Sequence, residues 1–252
     1  MITVRDLIEK IDMIAPFDNQ MEYDNSGLQI GSFDQNVSKL GITLDVNSDI
    51  LKAAKESGIN VIITHHPLLF RPIKALTDED YRYEMIEYCV KNDIAVLSAH
   101  TNFDRCPLSN SVSLLKRLGL CEVEVYNEFE CSAIGTYKTP ISVEELRQKL
   151  DAQRFRFPYV LHLFSDKPFE TVYCIAGAGG RDESAVLTAK RNADLFISSE
   201  FKHSNIEMAR ALKLNVIELS HYDSEILFAE NMREYLLNYY ESAFPIYILS
   251  DN

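Results

Sequence analysis

Four of the six histidines in this 252-residue chain stand directly after short apolar runs. His65 and His66 close VIITHHP (61–67), His100 follows AVLSA, and His221 follows NVIELS. Imidazole nitrogen combined with carboxylate oxygen suits Zn, Mn, Fe or Co. The carboxylates are at hand: Asp104 lies four residues after His100, and Glu225 four after His221. Adjacent histidines in a regular strand point to opposite faces. At a strand end followed by Pro67 the backbone turns, and both rings can face one cleft, each holding a different ion. Each piece has an ordinary alternative: a hydrogen-bonding or capping histidine, or an acid that caps a helix. Together, His65, His66, Asp104, His221 and Glu225 favour a pair of divalent metal ions. Three imidazoles and two carboxylates leave positions open for water, as catalytic sites do. Thr-Asn-Phe between His100 and Asp104 reads as a loop, so His100 ranks below these five and serves a carboxylate or the substrate. His162, inside YVLHLF, reads as a strand residue without chemistry.

A second tier of residues surrounds the set. Glu200, Lys202 and His203 follow the apolar run LFISS (195–199). Glu200 and His203 are proton-transfer candidates, carboxylate and imidazole being the usual groups. Lys202 could meet phosphate. The alternative is a solvated helix start. The glycine run GAGG (177–180) could present backbone N–H groups of Gly179 and Gly180 to a phosphate. It lacks the Walker lysine and the full Gly-x-Gly-x-x-Gly spacing, and a tight turn explains it equally well. In EYDNSGLQIG (22–31), Asp and Asn could orient histidine ligands from behind.

These residues need elements to position them. KLGITLDVNSDILKAAKESGINVIITHHP (39–67) and TVYCIAGAGGRDESAVLTAKRNADLFISSEFKH (171–203) follow one plan: strand, turn, helix, short strand. NDIAVLSAHTNFD (92–104) and LKLNVIELSHYDSE (212–225) match in turn. Four matches in one order point to two copies of a βαβαβ-type unit. Short, fully apolar strands between helices imply mostly parallel sheets with helices on both faces. Ligands then bind at the carboxyl ends of the strands, where the histidines lie. Helical patterns cover 49–57, 79–91, 111–118, 142–151, 183–192, 205–213 and 223–239. Residues 121–141 alternate as strands with a Thr-Pro break, and 165–170 reads as a turn. The expected fold is α/β, with two similar domains, 1–127 and 128–252, and a C-terminal helix able to pack back on the first.

Composition narrows the function classes. Hydrophobic residues make up 46% and charged residues 25%, which is ordinary globular usage. No apolar run is long enough to span a bilayer, and Arg5, Asp6 and Glu9 interrupt any signal-peptide core. Five cysteines without a Cys-x-x-Cys argue against a disulfide framework or thiolate zinc site, which fits a cytoplasmic protein. A net charge of −13 without a basic stripe excludes non-specific nucleic-acid binding and disfavours anionic lipid. An anionic small molecule stays compatible if metal ions supply local positive charge.

The motifs EYDNSGLQIG, ITHHPLLF, AHTNFD, AGAGG, SSEFKH and SHYDSE, in this order across nearly the whole chain, resemble the GTP cyclohydrolase 1 type 2 homologue family, also called NIF-three-like proteins. The resemblance implies two three-layer α/β domains with a dinuclear metal centre in the cleft between them. It assigns His65, His66, Asp104, His221 and Glu225 as ligands, and a homohexamer as the assembly. It also implies attack of an activated water on C8 of GTP, ring opening and loss of formate. Three departures fall outside the ligands: Tyr23 stands where the family usually has Trp, Ala178 where it has Ser, and Ser198-Ser199-Glu200 where it has Thr-Gly-Glu. They bear on substrate contacts. A hydrolase of another nucleotide or phosphoester and a non-catalytic metal-binding adaptor remain as alternatives.

Overall fold

The computed structural model describes residues 1–126 and 129–250. In chain order the elements are α1 (Val4–Asp12), β1 (Gly27–Ile30), β2 (Leu40–Thr43), α2 (Ser48–Glu56), β3 (Val61–Thr64), α3 (Tyr83–Lys91), β4 (Ala95–Ser98) and α4 (Thr101–Asp104). There follow α5 (Asn110–Arg117), β5 (Glu122–Val125), β6 (Ala133–Ile141), α6 (Val143–Asp151), β7 (Val160–His162), β8 (Phe169–Cys174), α7 (Glu183–Asn192), β9 (Leu195–Ser199), α8 (His203–Leu212), β10 (Asn215–Leu219) and α9 (His221–Glu225). The chain closes with α10 (Leu227–Tyr240) and β11 (Ile246–Ile248). It divides into two compact units, Met1–Cys106 with Phe228–Asn252, and Pro107–Leu227. The division expected between residues 127 and 128 lies outside the described residues.

The first unit is built on the sheet β1-β4-β3-β2-β11. β11, β2, β3 and β4 run parallel, and β1 lies antiparallel at the edge beside β4. The middle strands are buried along their whole length, as strands covered on both faces must be. Ile62 and Val96 pack with Leu51 and Ala54 of α2 and Met85 and Cys89 of α3. Ile63 and Leu97, one residue on, point to the opposite face and are equally buried. Helix α1, which periodicity did not single out, starts at a capping box between Thr3 and Asp6 and buries Val4, Leu7 and Ile11. Tyr235 and Tyr240 of α10 donate hydroxyl hydrogen bonds to its carbonyls of Lys10 and Asp6, at 2.7 and 3.1 Å.

The second unit carries the sheet β5-β6-β8-β9-β10-β7. β8, β9 and β10 pair in parallel, whereas the pairings β5–β6, β6–β8 and β10–β7 are antiparallel. The sheet is therefore mixed, not mostly parallel. Val172, Leu195, Ile197 and Ile217 form one core with Leu114 and Leu115 of α5 and Leu146 and Leu150 of α6. Tyr173, Phe196 and Val216 form a second core with Val186 of α7 and Ile206 of α8. Alternate residues of the same strands thus feed helices on both faces. Thr139 and Pro140 do not end β6; the strand continues with a shift of register between Thr136 and Ile141.

Both units contain three adjacent parallel strands joined through helices, β2-α2-β3-α3-β4 and β8-α7-β9-α8-β10. Each series ends in a short helix carrying a carboxylate at its last residue, Asp104 on α4 and Glu225 on α9.

Candidate metal centre

In the first unit, β3 ends at Thr64, and His65 and His66 occupy the turn beyond it. The Thr64 hydroxyl donates to the carbonyl of His66 at 2.9 Å and lies 2.8 Å from the Ser98 hydroxyl, joining the ends of β3 and β4. Asp104 closes α4, a single turn of helix where a loop was expected. His65 is fully buried. Its Nδ1 donates to the carbonyl of Ala99 at 2.9 Å, and its Nε2 stands 3.6 Å from Asp104 Oδ2. His66 Nδ1 donates to Asp45 Oδ1 at 2.9 Å. His100 Nδ1 donates to Asp24 Oδ1 at 2.8 Å. A carbonyl or carboxylate oxygen can only accept, so in each ring the Nδ1 proton makes this bond and Nε2 is the nitrogen left to a ligand. The three ring centroids lie 5.1 to 5.5 Å apart. Each ring offers a ligand atom within 4.8 Å of the others.

Asp24 anchors this arrangement. Burial alone would push its carboxyl up. The hydrogen bond and charge of His100, with bonds from Thr101 and the Asn25 backbone, outweigh that and hold it well below the usual carboxylate range. The Thr101 backbone N–H and hydroxyl both donate to Asp24 Oδ2. The segment ahead of β1 thus orients a histidine from behind through Asp24, while Gly27–Ile30 of the same motif form strand β1 where a turn is the plain reading of its composition.

In the second unit, Ser220 caps α9 and places His221 and Glu225 one turn apart on the same helix face. His221 Nδ1 donates to Glu200 Oε1 at 2.8 Å, and its Nε2 lies 3.0 Å from Glu225 Oε2. The other Glu200 oxygen pairs with Arg181 at 2.6 Å. Glu200 holds this position in a left-handed backbone conformation, φ +57°, which a non-glycine residue keeps only when its surroundings demand it. Gly177 stands directly against the pair, also with positive φ. A Cβ there would run into Glu225 Oε1 and come within 3.3 Å of His221 Nε2. Its N–H donates to the Ser224 hydroxyl at 2.9 Å, which itself donates to the His221 carbonyl at 2.8 Å.

Gly179 and Gly180 lie in the 3-10 turn Ala178–Arg181. A Cβ on Gly179 would collide with the Ile175 side chain and one on Gly180 with the Ser199 carbonyl, so close packing is one reason for glycine at both positions. Lys202 caps α8 and His203 begins it, both exposed. His162 lies in β7, 3.7 Å from Glu218. The sequence patterns do not point to Asp45 or Arg181, and they mark Gly177 only as part of the glycine run 177–180.

The donor set fits divalent cations: imidazoles whose Nδ1 is tied to an oxygen and whose Nε2 is left to a ligand, carboxylates beside them, and a glycine that leaves room at the His221–Glu225 pair. The family model Duf34/NIF3 (NGG1p interacting factor 3) matches residues 2–251. A Methanocaldococcus jannaschii protein named GTP cyclohydrolase 1 type 2 homolog is 29% identical over 92% of this chain and 93% of its own. A Helicobacter pylori J99 protein named GTP cyclohydrolase 1 type 2 is 28% identical over 94% and 92%. Among solved structures, reduced HcgD from Methanocaldococcus jannaschii superposes with a TM-score of 0.86 at 28% identity, covering 99% of this chain and 98% of that one. Staphylococcus aureus SA1388 shares the fold, with a TM-score of 0.87 at 21% identity over 100% and 97%.

Proposed function

Since the chain belongs to the Duf34/NIF3 family, we propose that it is a dinuclear metal-dependent hydrolase, GTP cyclohydrolase 1 type 2-like, that opens the imidazole ring of GTP with release of formate. The observation that carries the reading is the common orientation of His65, His66 and His221, each with Nδ1 bound to an oxygen, with Nε2 of His65 beside Asp104 and Nε2 of His221 beside Glu225. In this reading His65, His66 and Asp104 of the first unit and His221 and Glu225 of the second serve one pair of ions, each unit supplying an incomplete set. Bound divalent ions supply Lewis acidity and water acidic enough to react near neutral pH.

The chain's own groups do the rest. Asp45, the Ala99 carbonyl and Glu200 fix the imidazole tautomers. Glu200 positions His221, and any proton it relays passes through that ring. His203, exposed at the start of α8, is the proton-transfer group open to solvent. Lys202 and the Gly179-Gly180 turn are the proposed phosphate contacts. Homologues named for GTP cyclohydrolase support the nucleotide substrate. A cytoplasmic homohexamer is the proposed setting.

The test is metal content and product analysis on protein purified without chelator. The expected result is two ions per chain and formate released from GTP, with both lowered in His66→Ala and Glu225→Ala. Inorganic phosphate in place of formate would move the assignment to a phosphoester hydrolase. Metal retention without turnover would leave a metal-binding adaptor. Full activity with both ions in His66→Ala would overturn the ligand set.

A further inference from the structure

We propose that Tyr23 and Phe70 form a stacking platform for a planar nucleobase beside the histidine cluster of the first unit; the proposal rests on the nucleotide reading above. Tyr23 is 62% exposed and Phe70 38%. Their rings meet edge to face at 6.3 Å. Phe70 in turn stands edge-on to His100 at 5.8 Å, and His100 touches both His65 and His66. An aromatic surface open to solvent therefore continues directly into the candidate ligand rings.

The two segments that carry these rings are latched together. The Asn25 side chain donates to the Leu69 carbonyl at 2.7 Å, the Leu69 N–H donates to Gln29 Oε1 at 3.1 Å, and Gln29 Nε2 returns to the Asn25 carbonyl at 2.6 Å. Tyr23 directly precedes Asp24, which binds His100. Hydrogen bonds thus register the platform to the imidazoles, and little ordering entropy is left to lose on binding.

The chemistry of the occupant follows. A ring that is to be opened must lie within reach of the ligand histidines, and a purine presents a flat π-face that stacks on aromatic side chains. A chain of net charge −13 offers polyphosphate little general attraction, which makes base stacking a larger share of nucleotide affinity. The competing occupant is a second copy of the chain covering Tyr23.

The experiment is calorimetric titration of metal-loaded protein with GTP and, separately, with inorganic tripolyphosphate, which has no base. Tyr23→Ala and Phe70→Ala are expected to weaken GTP binding about tenfold each, with tripolyphosphate affinity, metal content and thermal midpoint as in wild type. Tyr23→Trp is expected to bind GTP at least as tightly as wild type. Unchanged GTP affinity in both alanine variants, or equal losses for GTP and tripolyphosphate, would overturn the proposal. So would dissociation of the assembly in light scattering with GTP affinity unchanged, which would assign the surface to a second copy. Tyr23-dependent GTP binding without formate release would sink the cyclohydrolase reading and keep the platform. Formate release at unchanged KM in Tyr23→Ala would do the reverse.

Discussion

A histidine that binds a cation through Nε2 must keep its proton on Nδ1, and the oxygen behind Nδ1 enforces this. Glu200 does so for His221 while Arg181 occupies its second oxygen. Glu200→Ala is expected to lower metal affinity about 10- to 100-fold with little change in the thermal midpoint of the metal-free protein. Glu200→Gln keeps an acceptor oxygen and is expected to lose less. Competition with a chromophoric chelator measures both. Equal affinities in Ala, Gln and wild type would show that the bond to His221 does not act on the metal. Gly177 was legible only as part of a glycine run. Its positive φ and its closeness to Glu225 come from the fold of the turn.

At the scale of elements, the helix pattern read at 79–91 begins instead at Tyr83. Asp80 explains the difference. Its carboxylate accepts from the Arg82 backbone N–H and from the Arg82 guanidinium, shaping a turn ahead of α3. The Arg82 side-chain hydrogen bond, helped by the backbone bond and charge, lowers the Asp80 pKa to about 2. A carboxyl depressed on folding stabilises above its unfolded value, about 3.9. That contribution is lost as the pH falls from there through about 2. Asp80→Asn is therefore expected to lower the thermal midpoint at pH 6, and the gap from wild type should narrow as the pH drops from about 5 to about 3. A gap independent of pH would mean the carboxylate's charge plays no part. The pattern at 223–239 likewise resolves into two helices, α9 ending at Glu225 and α10 starting at Leu227. The break sits directly after the candidate ligand.

For the whole molecule, ligand binding to the folded state alone raises stability by RT ln(1 + [L]/Kd), about 2.7 kcal/mol at a hundredfold excess over Kd. Adding Zn or Mn to chelated protein is expected to raise the thermal midpoint by several degrees. The response should be lost in His65→Ala and Glu225→Ala, and scanning calorimetry measures it. A midpoint indifferent to metal in wild type would argue against ions held by the folded chain. Residues 228–252 belong to the first unit because β11 pairs in parallel with β2, framed by Leu40 N–H to Pro245 carbonyl at 3.0 Å and Leu249 N–H to Ile42 carbonyl at 2.8 Å. Among the described residues, no helix is long and apolar enough to cross a membrane.

What could be read from sequence alone is local or periodic. Adjacent His65 and His66 before a proline, the i,i+4 spacing of His221 and Glu225, and apolar strands buried on both faces announce themselves because backbone geometry repeats over a few residues. The α/β class and the strand–helix order of the two repeated series follow from the same regularity, whereas α1, β1 and β11 do not. The partners behind the rings do not. Asp24 reaches His100 across 76 residues, and Asp45 reaches His66 across 21. These pairings depend on strand order, which sets β1 beside β4 and β2 beside β3. A side-chain oxygen becomes the acceptor for a given Nδ1 only when neighbouring strand ends bring the two within about 3 Å. Strand order is chosen by burial over a whole sheet, a property of the folded chain that no short spacing contains.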